Sequence, residues 1–291
     1  MYYILSLLGG LLIAVMVLFN GSLTAQYGLH FSVVFIHITG LLLVSIITLI
    51  KRQRPFEKRQ PWHLYLGGAI GVMTVAFNNF AFGRISVSAI LALTLLGQSV
   101  FGLAFDQYGW FGMQKHPFGK HKIAGLLLTI CGIAVMIDRF DFFPVVLSFA
   151  AGGTIVLSRT LNAKLGEQTS VGISTFYNYL LGLIVSTIIF LLFGGNEAIH
   201  SGIVISADPL IYTGGFLGVI LIMVSNIVVT KVSAFYLSLM MFIGQVLTGI
   251  IIDALLAGSF SITILIGGIL VSAGLCVDLI LSRAKNRKLR K

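Results

Sequence analysis

Charged residues are scarce in this chain of 291 residues. They make up 10% of the sequence, whereas a soluble domain has about 25%. Hydrophobic residues reach 57%, and the mean hydropathy is +1.03. The balance excludes an ordinary soluble domain and predicts an integral membrane protein.

Cysteine and the common cofactor motifs are also missing or nearly so. The two cysteines, Cys131 and Cys276, lie in apolar stretches and predict neither a disulfide framework nor a metal site. The sequence contains no G-x-G-x-x-G, no G-x-x-x-x-G-K-[ST] and no H-E-x-x-H. We therefore expect no cofactor, no metal and no ATP-driven step.

Ten apolar stretches are long enough to cross a bilayer, which takes about 20 helical residues. They cover residues 3–20, 32–50, 63–83, 87–106, 121–138, 144–162, 170–194, 208–230, 234–257 and 261–282. The predicted fold class is an all-α integral membrane protein with ten transmembrane helices. No length remains for a separate soluble domain.

The net charge of +10 is explained by orientation in the membrane. If both termini are cytoplasmic, 17 of the 19 Lys and Arg residues fall inside, Arg159 among them, and only Arg84 and Arg139 fall outside. This is the positive-inside pattern. It predicts a multi-pass protein of the cytoplasmic membrane whose partner is the lipid bilayer, and it argues against nucleic acid.

An internal repeat is the most informative feature present. Residues 65–106 reappear as residues 212–253 with their polar positions retained. Asn79 aligns with Asn226, Gln98 with Gln245 and Asp106 with Asp253, each pair 147 positions apart. Matches between polar residues are informative because matches between Leu and Ile occur by chance in any apolar sequence.

The repeat extends over the whole chain at a second offset, 142, which aligns Gly10 with Gly152, Asn20 with Asn162 and Gly40 with Gly182. Two domains follow: residues 1–140, and residues 141–291 with a basic cytoplasmic tail. Because five helices is an odd number, the second copy must enter the membrane with the opposite orientation. Inverted repeats of this kind are typical of secondary transporters, whose binding sites lie where the repeats meet.

Ten helices in a 5+5 duplication, the paired Gly-Gln at Gln98 and Gln245, and the basic tail resemble the drug/metabolite transporter (DMT) superfamily, and its YdcZ-like branch in particular. The resemblance implies alternating access by two bundles, with helices 1, 3, 4, 6, 8 and 9 around a central cavity. The small multidrug exporters of that superfamily carry a Glu in helix 1. Here helix 1 has none, which argues against cation exchange through such a carboxylate.

The predicted substrate-binding residues are amides and aromatic side chains. Gln98 and Gln245 lie halfway along their stretches, where an amide needs a partner, either the substrate or a neighbouring helix. Asn79 and Asn226 lie toward opposite ends of theirs. Offset 142 adds three candidates that form or extend matched pairs: Phe35, Tyr177 and Asn178.

Three ionisable residues are candidates for coupling transport to a proton. His37 titrates near neutrality, while Asp106 and Asp253 are matched carboxylates near opposite helix ends. The alternatives are a hydrogen-bonded packing role for His37 and an interfacial position for both carboxylates.

The predicted function is secondary-active transport of a small organic solute, metabolite or drug-like, by alternating access. Coupling to protons or sodium, and a monomeric or homodimeric state, stay open. The alternatives are a non-transporting membrane subunit or receptor, and a membrane-embedded enzyme. Such an enzyme would need convergent ionisable groups, and Asp106, His116 and His121 are spread over a long loop. We therefore expect no enzyme.

Overall fold

The computed structural model describes residues 2–57, 59–108, 122–136, 141–194, 205–229, 234–257 and 262–288. Ten α-helices occur in these ranges, each on one predicted apolar stretch. The first five are α1 (Tyr2–Tyr27), α2 (Leu29–Ile50), α3 (Gly67–Ala81), α4 (Val87–Tyr108) and α5 (Lys122–Met136). A short 3-10 helix, Trp62–Leu66, leads into α3.

The second half repeats this order. Its helices are α6 (Phe142–Gln168), α7 (Val171–Ile189), α8 (Gly214–Val229), α9 (Ala234–Ala257) and α10 (Ile262–Lys288). A π-helical turn, Phe190–Gly194, extends α7, and a 3-10 helix, Pro209–Thr213, leads into α8. Gly28, with a φ of 80°, turns the chain between α1 and α2 within one residue, a conformation that favours glycine.

The outer faces of the helices are apolar. On α2, Ile38, Leu42, Ile46 and Leu49 are exposed at helical spacing, whereas Ile36, His37 and Val44 on the opposite face are buried. A stripe of exposed large aliphatic residues is compatible with lipid and not with water. Within the described ranges, five helices are long and apolar enough to cross a membrane: Ile4–Tyr27, Leu29–Ile50, Trp62–Ala81, Phe142–Gln168 and Val171–Gly194.

The helices pack into two bundles of four and one outer pair. In the first bundle, α1 packs against α8, α9 and α2, and α2 against α8. In the second, α6 packs against α3, α4 and α7, and α3 against α7. The bundles meet chiefly where α2 contacts α7 and α4 contacts α9, while α5 and α10 pack on each other beside them.

Backbone contact at glycine sets the closest helix crossings. A Cβ atom on Gly152 of α6 would overlap the carbonyl oxygen of Thr94 and the amide of Gln98 on α4. A Cβ on Gly10 of α1 would overlap the carbonyl oxygen of Met241 on α9. These two crossings are related by the same offsets that relate the sequence copies, and each bundle contains one. Small residues at crossings allow this approach between membrane helices.

Two predicted helix ends differ from the observed ones in an informative way. The first and sixth apolar stretches are predicted to end at Asn20 and Asn162, but α1 continues to Tyr27 and α6 to Gln168. Asn20 and Asn162 are both buried. Hydropathy falls at these residues because they face protein, so a fall in hydropathy here does not mark the end of a helix.

The crossing at Gly152 yields a stability prediction. We expect Gly152→Ala to lower the thermal unfolding temperature of detergent-solubilised protein by several degrees, because overpacking costs about 1–3 kcal/mol. Gly102→Ala on α4 is the matched control, since a Cβ there meets nothing within 4 Å, and alanine favours the helix by up to ~1 kcal/mol. Equal unfolding temperatures for the two variants would contradict the backbone contact.

Candidate functional site

A cavity of about 210 Å³ lies between the two bundles. Eight helices contribute to its wall: α1, α2, α3, α4, α6, α7, α8 and α9, the last through Gln245 alone. The volume is below the roughly 300–1,000 Å³ of pockets that hold drug-sized ligands. The space therefore suits a small molecule.

Half of the lining side chains are polar, which is unusual for the interior of an apolar protein. They are Asn20, His37, Thr74, Asn78, Thr94, Gln98, Ser158, Arg159, Asn162, Asn178, Tyr179 and Gln245. Polar groups inside the membrane cost free energy unless they are satisfied, and they mark substrate or ion pathways when they line a cavity. The cavity is thus the candidate binding site.

A hydrogen-bonded cluster joins α6, α7 and α3 at one wall. The Asn162 amide nitrogen donates to Asn178 Oδ1 at 2.8 Å and to Ser158 Oγ at 3.3 Å. Ser158 Oγ in turn donates to the carbonyl oxygen of Gly67 at 2.8 Å. A Cβ on Gly67 would overlap Asn162 Oδ1. Glycine therefore lets α3 approach close enough for these bonds to form.

Threonine and asparagine side chains line the adjoining part of the same wall. Thr94 Oγ1 donates to the backbone oxygen of Ser148 at 3.1 Å and lies 3.3 Å from Asn78 Oδ1. The hydroxyls of Thr74 and Thr154 are 2.7 Å apart. These bonds connect α3 and α4 to α6 and hold the polar atoms in place around the cavity.

Gln98 and Gln245, the predicted central pair, both line the cavity. Each follows a glycine at a crossing. The backbone nitrogen of Gln98 adjoins Gly152, and the backbone nitrogen of Gln245 adjoins Gly10. Within the described residues, no hydrogen bond joins either side-chain amide to another residue. Both amides are therefore available to a ligand.

His37 and Tyr179, which align at offset 142, also line the cavity. His37 Nδ1 donates to the carbonyl oxygen of Val33 at 2.7 Å, and its ring packs 5.9 Å from the ring of Tyr179. Tyr179 OH donates to the carbonyl oxygen of Gly215 at 3.3 Å. The two rings occupy the contact between α2 and α7, on opposite sides of the bundle boundary.

Arg159 is one of the cavity-lining residues, and its side chain is exposed. The sequence placed it with the cytoplasmic basic residues. The structure places it about nine residues before the end of α6 at Gln168, roughly 13 Å along the helix at about 1.5 Å per residue. It is one turn from Asn162, on the same helix face.

Phe35 and Tyr177 belong to two aromatic clusters outside the cavity lining. Phe35 packs 5.3 Å from Tyr212, and Tyr177 packs 4.6 Å from Tyr65. Each cluster restrains the segment that precedes a helix. Before α8, Ser206 N donates to Tyr212 OH at 2.8 Å; before α3, Tyr177 OH donates to the carbonyl oxygen of Pro55 at 2.8 Å.

Four further residues were predicted to bind substrate or to couple transport: Asn79, Asn178, Asn226 and Asp106. Asn79 is buried outside the lining, where its amide nitrogen has no hydrogen-bond partner among the described residues, and its neighbour Asn78 lines the cavity instead. Asn178, a predicted substrate-binding residue, lines the cavity. The side chains of Asn226 and Asp106 lie outside the described part of the structure.

Asp253 has a structural position at the start of α4. Its Oδ1 accepts from Val87 N at 2.8 Å and its Oδ2 accepts from Ser88 N at 2.9 Å and from Ser88 Oγ. A carboxylate at a helix N-terminus satisfies free N–H groups and interacts favourably with the helix dipole. Asp253 thereby ties α9 to α4 across the bundle boundary.

The sequence-based predictions omitted several lining residues, although the sequence contains a signal for the paired asparagines and for the arginine. Asn20 and Asn162 are retained in both copies, as Gln98 and Gln245 are, and the same argument would have included them. Arg159 is a charge within an apolar helix, a position that usually marks function. Thr74, Thr94 and Ser158 carry no such signal, because isolated hydroxyl residues are common in membrane helices.

Comparison with known proteins identifies the family of this chain. A family model described as "Putative inner membrane exporter, YdcZ" (DMT_YdcZ) matches residues 1–135 and 143–277. The chain belongs to this family, which confirms the resemblance found in the sequence. The multi-pass helical structure and the family together support a cell-membrane transport protein.

Similarity to solved structures extends over nearly the whole chain. One, described only as "Crystal structure of protein", aligns with a TM-score of 0.66 and 16% identity, over 97% of this chain and 98% of its own. At that identity the likeness concerns the fold alone. No curated protein matches the chain.

The capping position of Asp253 can be tested by substitution. We expect Asp253→Ala to cost about 0.5–2 kcal/mol of stability, the usual loss on removing a helix cap. Asp253→Asn should retain part of that stability, because its amide oxygen still accepts an N–H bond. Thermal unfolding in detergent measures both, with the exposed Glu57→Ala as control. If both Asp253 variants unfold at the wild-type temperature, the cap is unimportant.

Proposed function

We propose that this chain is a secondary-active transporter that moves a small organic solute by alternating access. The observation that supports this most directly is the cavity between two four-helix bundles, half of whose lining residues are polar. Membership of an exporter family agrees with transport. Substrate contacts would come from Gln98, Gln245 and Asn178, joined by Asn20 and Asn162.

We further propose that the two halves are inverted repeats, with all ten helices spanning the membrane and both termini cytoplasmic. Equivalent contacts support the repeat. Gly67 adjoins the side chain of Asn162 while Gly214 adjoins that of Asn20, and Gly40 adjoins the ring of Tyr179 while Gly182 adjoins that of His37. In each pair of contacts, the residues of one contact align with the residues of the other at the sequence offsets of 147 or 142.

Alternating access in this arrangement would be a rocking of one bundle against the other. The contacts that would change lie between α2 and α7 and between α4 and α9. The contacts within each bundle, made at Gly10 and Gly152, would be retained because backbone packing leaves no side chain to rearrange. The aromatic clusters of Phe35 and Tyr177 would then lie at opposite ends of the pathway. His37, at the α2–α7 contact, stays the candidate for proton coupling.

The proposal predicts solute binding that depends on the paired glutamines. Purified protein in detergent is screened by thermal shift against a metabolite library, and ligands that stabilise it are tested for flux in proteoliposomes. A ligand at about 100 times its Kd should stabilise by ~2.7 kcal/mol. We expect Gln98→Ala/Gln245→Ala to weaken both the shift and the flux at least tenfold.

The matched control is Gln168→Ala, which removes the same side chain from an exposed position at the end of α6. It should bind and transport like the wild type. A ligand that stabilises the protein but gives no flux would contradict transport and favour a receptor or subunit. Flux that survives the double substitution would move the site away from these glutamines.

A further inference from the structure

Arg159 is a cation in the cavity lining that pairs with no described residue. In the part of the chain that the structure describes, no ion pair or hydrogen bond joins its guanidinium to another residue. A charged side chain within a membrane helix costs roughly 2.5–3.5 kcal/mol on insertion scales. Charged side chains in such helices therefore face a cavity and mark substrate or ion pathways, and an unpaired guanidinium that lines a cavity is suited to an anion.

The two walls of the cavity differ in chemistry although their backbones correspond. Toward α6 and α7, the lining residues are Ser158, Arg159 and Asn178; at the aligned positions of α1 and α2 they are Met16, Val17 and Ile36. Toward α3 the lining residues are Thr74 and Val75, and at the aligned positions of α8 they are Leu221 and Ile222. One bundle thus presents a cation with hydrogen-bonding groups, and the other presents mainly apolar surface.

These observations define the shape and polarity of a fitting ligand. A guanidinium pairs best with a carboxylate or phosphate, which it can hold by two parallel N–H bonds. The apolar wall formed by Ile13, Met16 and Val17 would desolvate a short hydrocarbon or aromatic body. The volume of about 210 Å³ limits that body to a few carbon atoms or one ring.

We propose that the transported solute is a small amphipathic organic monoanion, whose charged end pairs with Arg159 on α6 and whose apolar body packs against α1. This rests on the proposed transport function and names its substrate class. Asn162 and Ser158 lie within a turn of Arg159 and complete the polar end of the site. A neutral solute would leave the guanidinium unpaired, and a cation would be repelled by it.

The test compares binding and flux separately for solutes matched in size. Short aliphatic and aromatic carboxylates are set against their primary amides and their amines, and small phosphate monoesters form a fourth class. Binding is measured by thermal shift in detergent, and flux by uptake into proteoliposomes. We expect carboxylates to bind at least tenfold more tightly than the amides, with affinity rising as the hydrocarbon part grows until the cavity is full.

The variants are Arg159→Gln, Arg159→Lys and the control Lys164→Gln, which removes one positive charge from the same helix outside the cavity lining. Arg159→Gln should abolish the preference for carboxylate over amide, Arg159→Lys should retain part of it, and Lys164→Gln should leave it unchanged. An unfolding temperature near that of the wild type shows that each variant is folded. Val17→Asn should reduce the gain in affinity from a longer hydrocarbon part while retaining the preference for carboxylate.

The outcomes separate this inference from the proposed function. If Arg159→Gln loses carboxylate binding and neither the wild type nor any variant gives flux, the anion site is supported and transport is contradicted. Flux of amides or amines that is unchanged in Arg159→Gln would support transport and overturn the anion site. A preference for phosphate monoesters over carboxylates would overturn the choice of a monoanion. Neither binding nor flux by folded protein would overturn both proposals.

Discussion

Contact between helix backbones at glycine is the constraint on which the rest of this structure depends. Membrane helices gain little from burying apolar side chains against each other, because lipid is equally apolar. Close packing and interhelical hydrogen bonds must hold them together instead. Gly10 and Gly152 bring α1 against α9 and α6 against α4, and Gly67 lets the Asn162 cluster form. The cavity lies between the bundles that these crossings create.

The same constraint explains how a repeated backbone can enclose an asymmetric site. At the crossings, the glycines are retained in both halves because any side chain would separate the helices. Cavity positions 17 and 159 are not among the contacts at these crossings, so their side chains are free to differ. Val17 and Arg159 occupy equivalent positions with opposite chemistry. Under the proposed anion site, a scaffold with matched halves would distinguish the two ends of a bound molecule.

Aromatic contacts and a helix cap restrain the chain where the bundles end. Tyr212 and Tyr177 hydrogen-bond the backbone of the segments that lead into α8 and α3. Asp253 reaches from α9 to the first N–H groups of α4. None of these residues lines the cavity, yet each fixes the position of a helix that does. Matched polar residues in a repeat thus serve the scaffold as well as the site.

Much of the fold could be predicted because hydropathy reports lipid contact directly. All ten described helices coincide with apolar stretches, and most of their bounds agree within a few residues. The predictions were less accurate where a polar residue faces protein. Asn20 and Asn162 interrupt the apolar stretches of the sequence, although α1 and α6 continue beyond them. Arg159 was grouped with the cytoplasmic basic residues, and the structure adds that it lines the cavity.

By itself, the sequence determined the membrane environment, the helices, the internal duplication and the family, because each of these depends on composition or on the spacing of residues along the chain. It also identified Gln98, Gln245, Asn178 and His37, all of which line the cavity. The tertiary structure decided which face of each helix is turned inward. That choice depends on contacts between residues far apart in the chain, and it places Arg159 in the cavity, Asp253 at a helix end and Phe35 in an aromatic cluster.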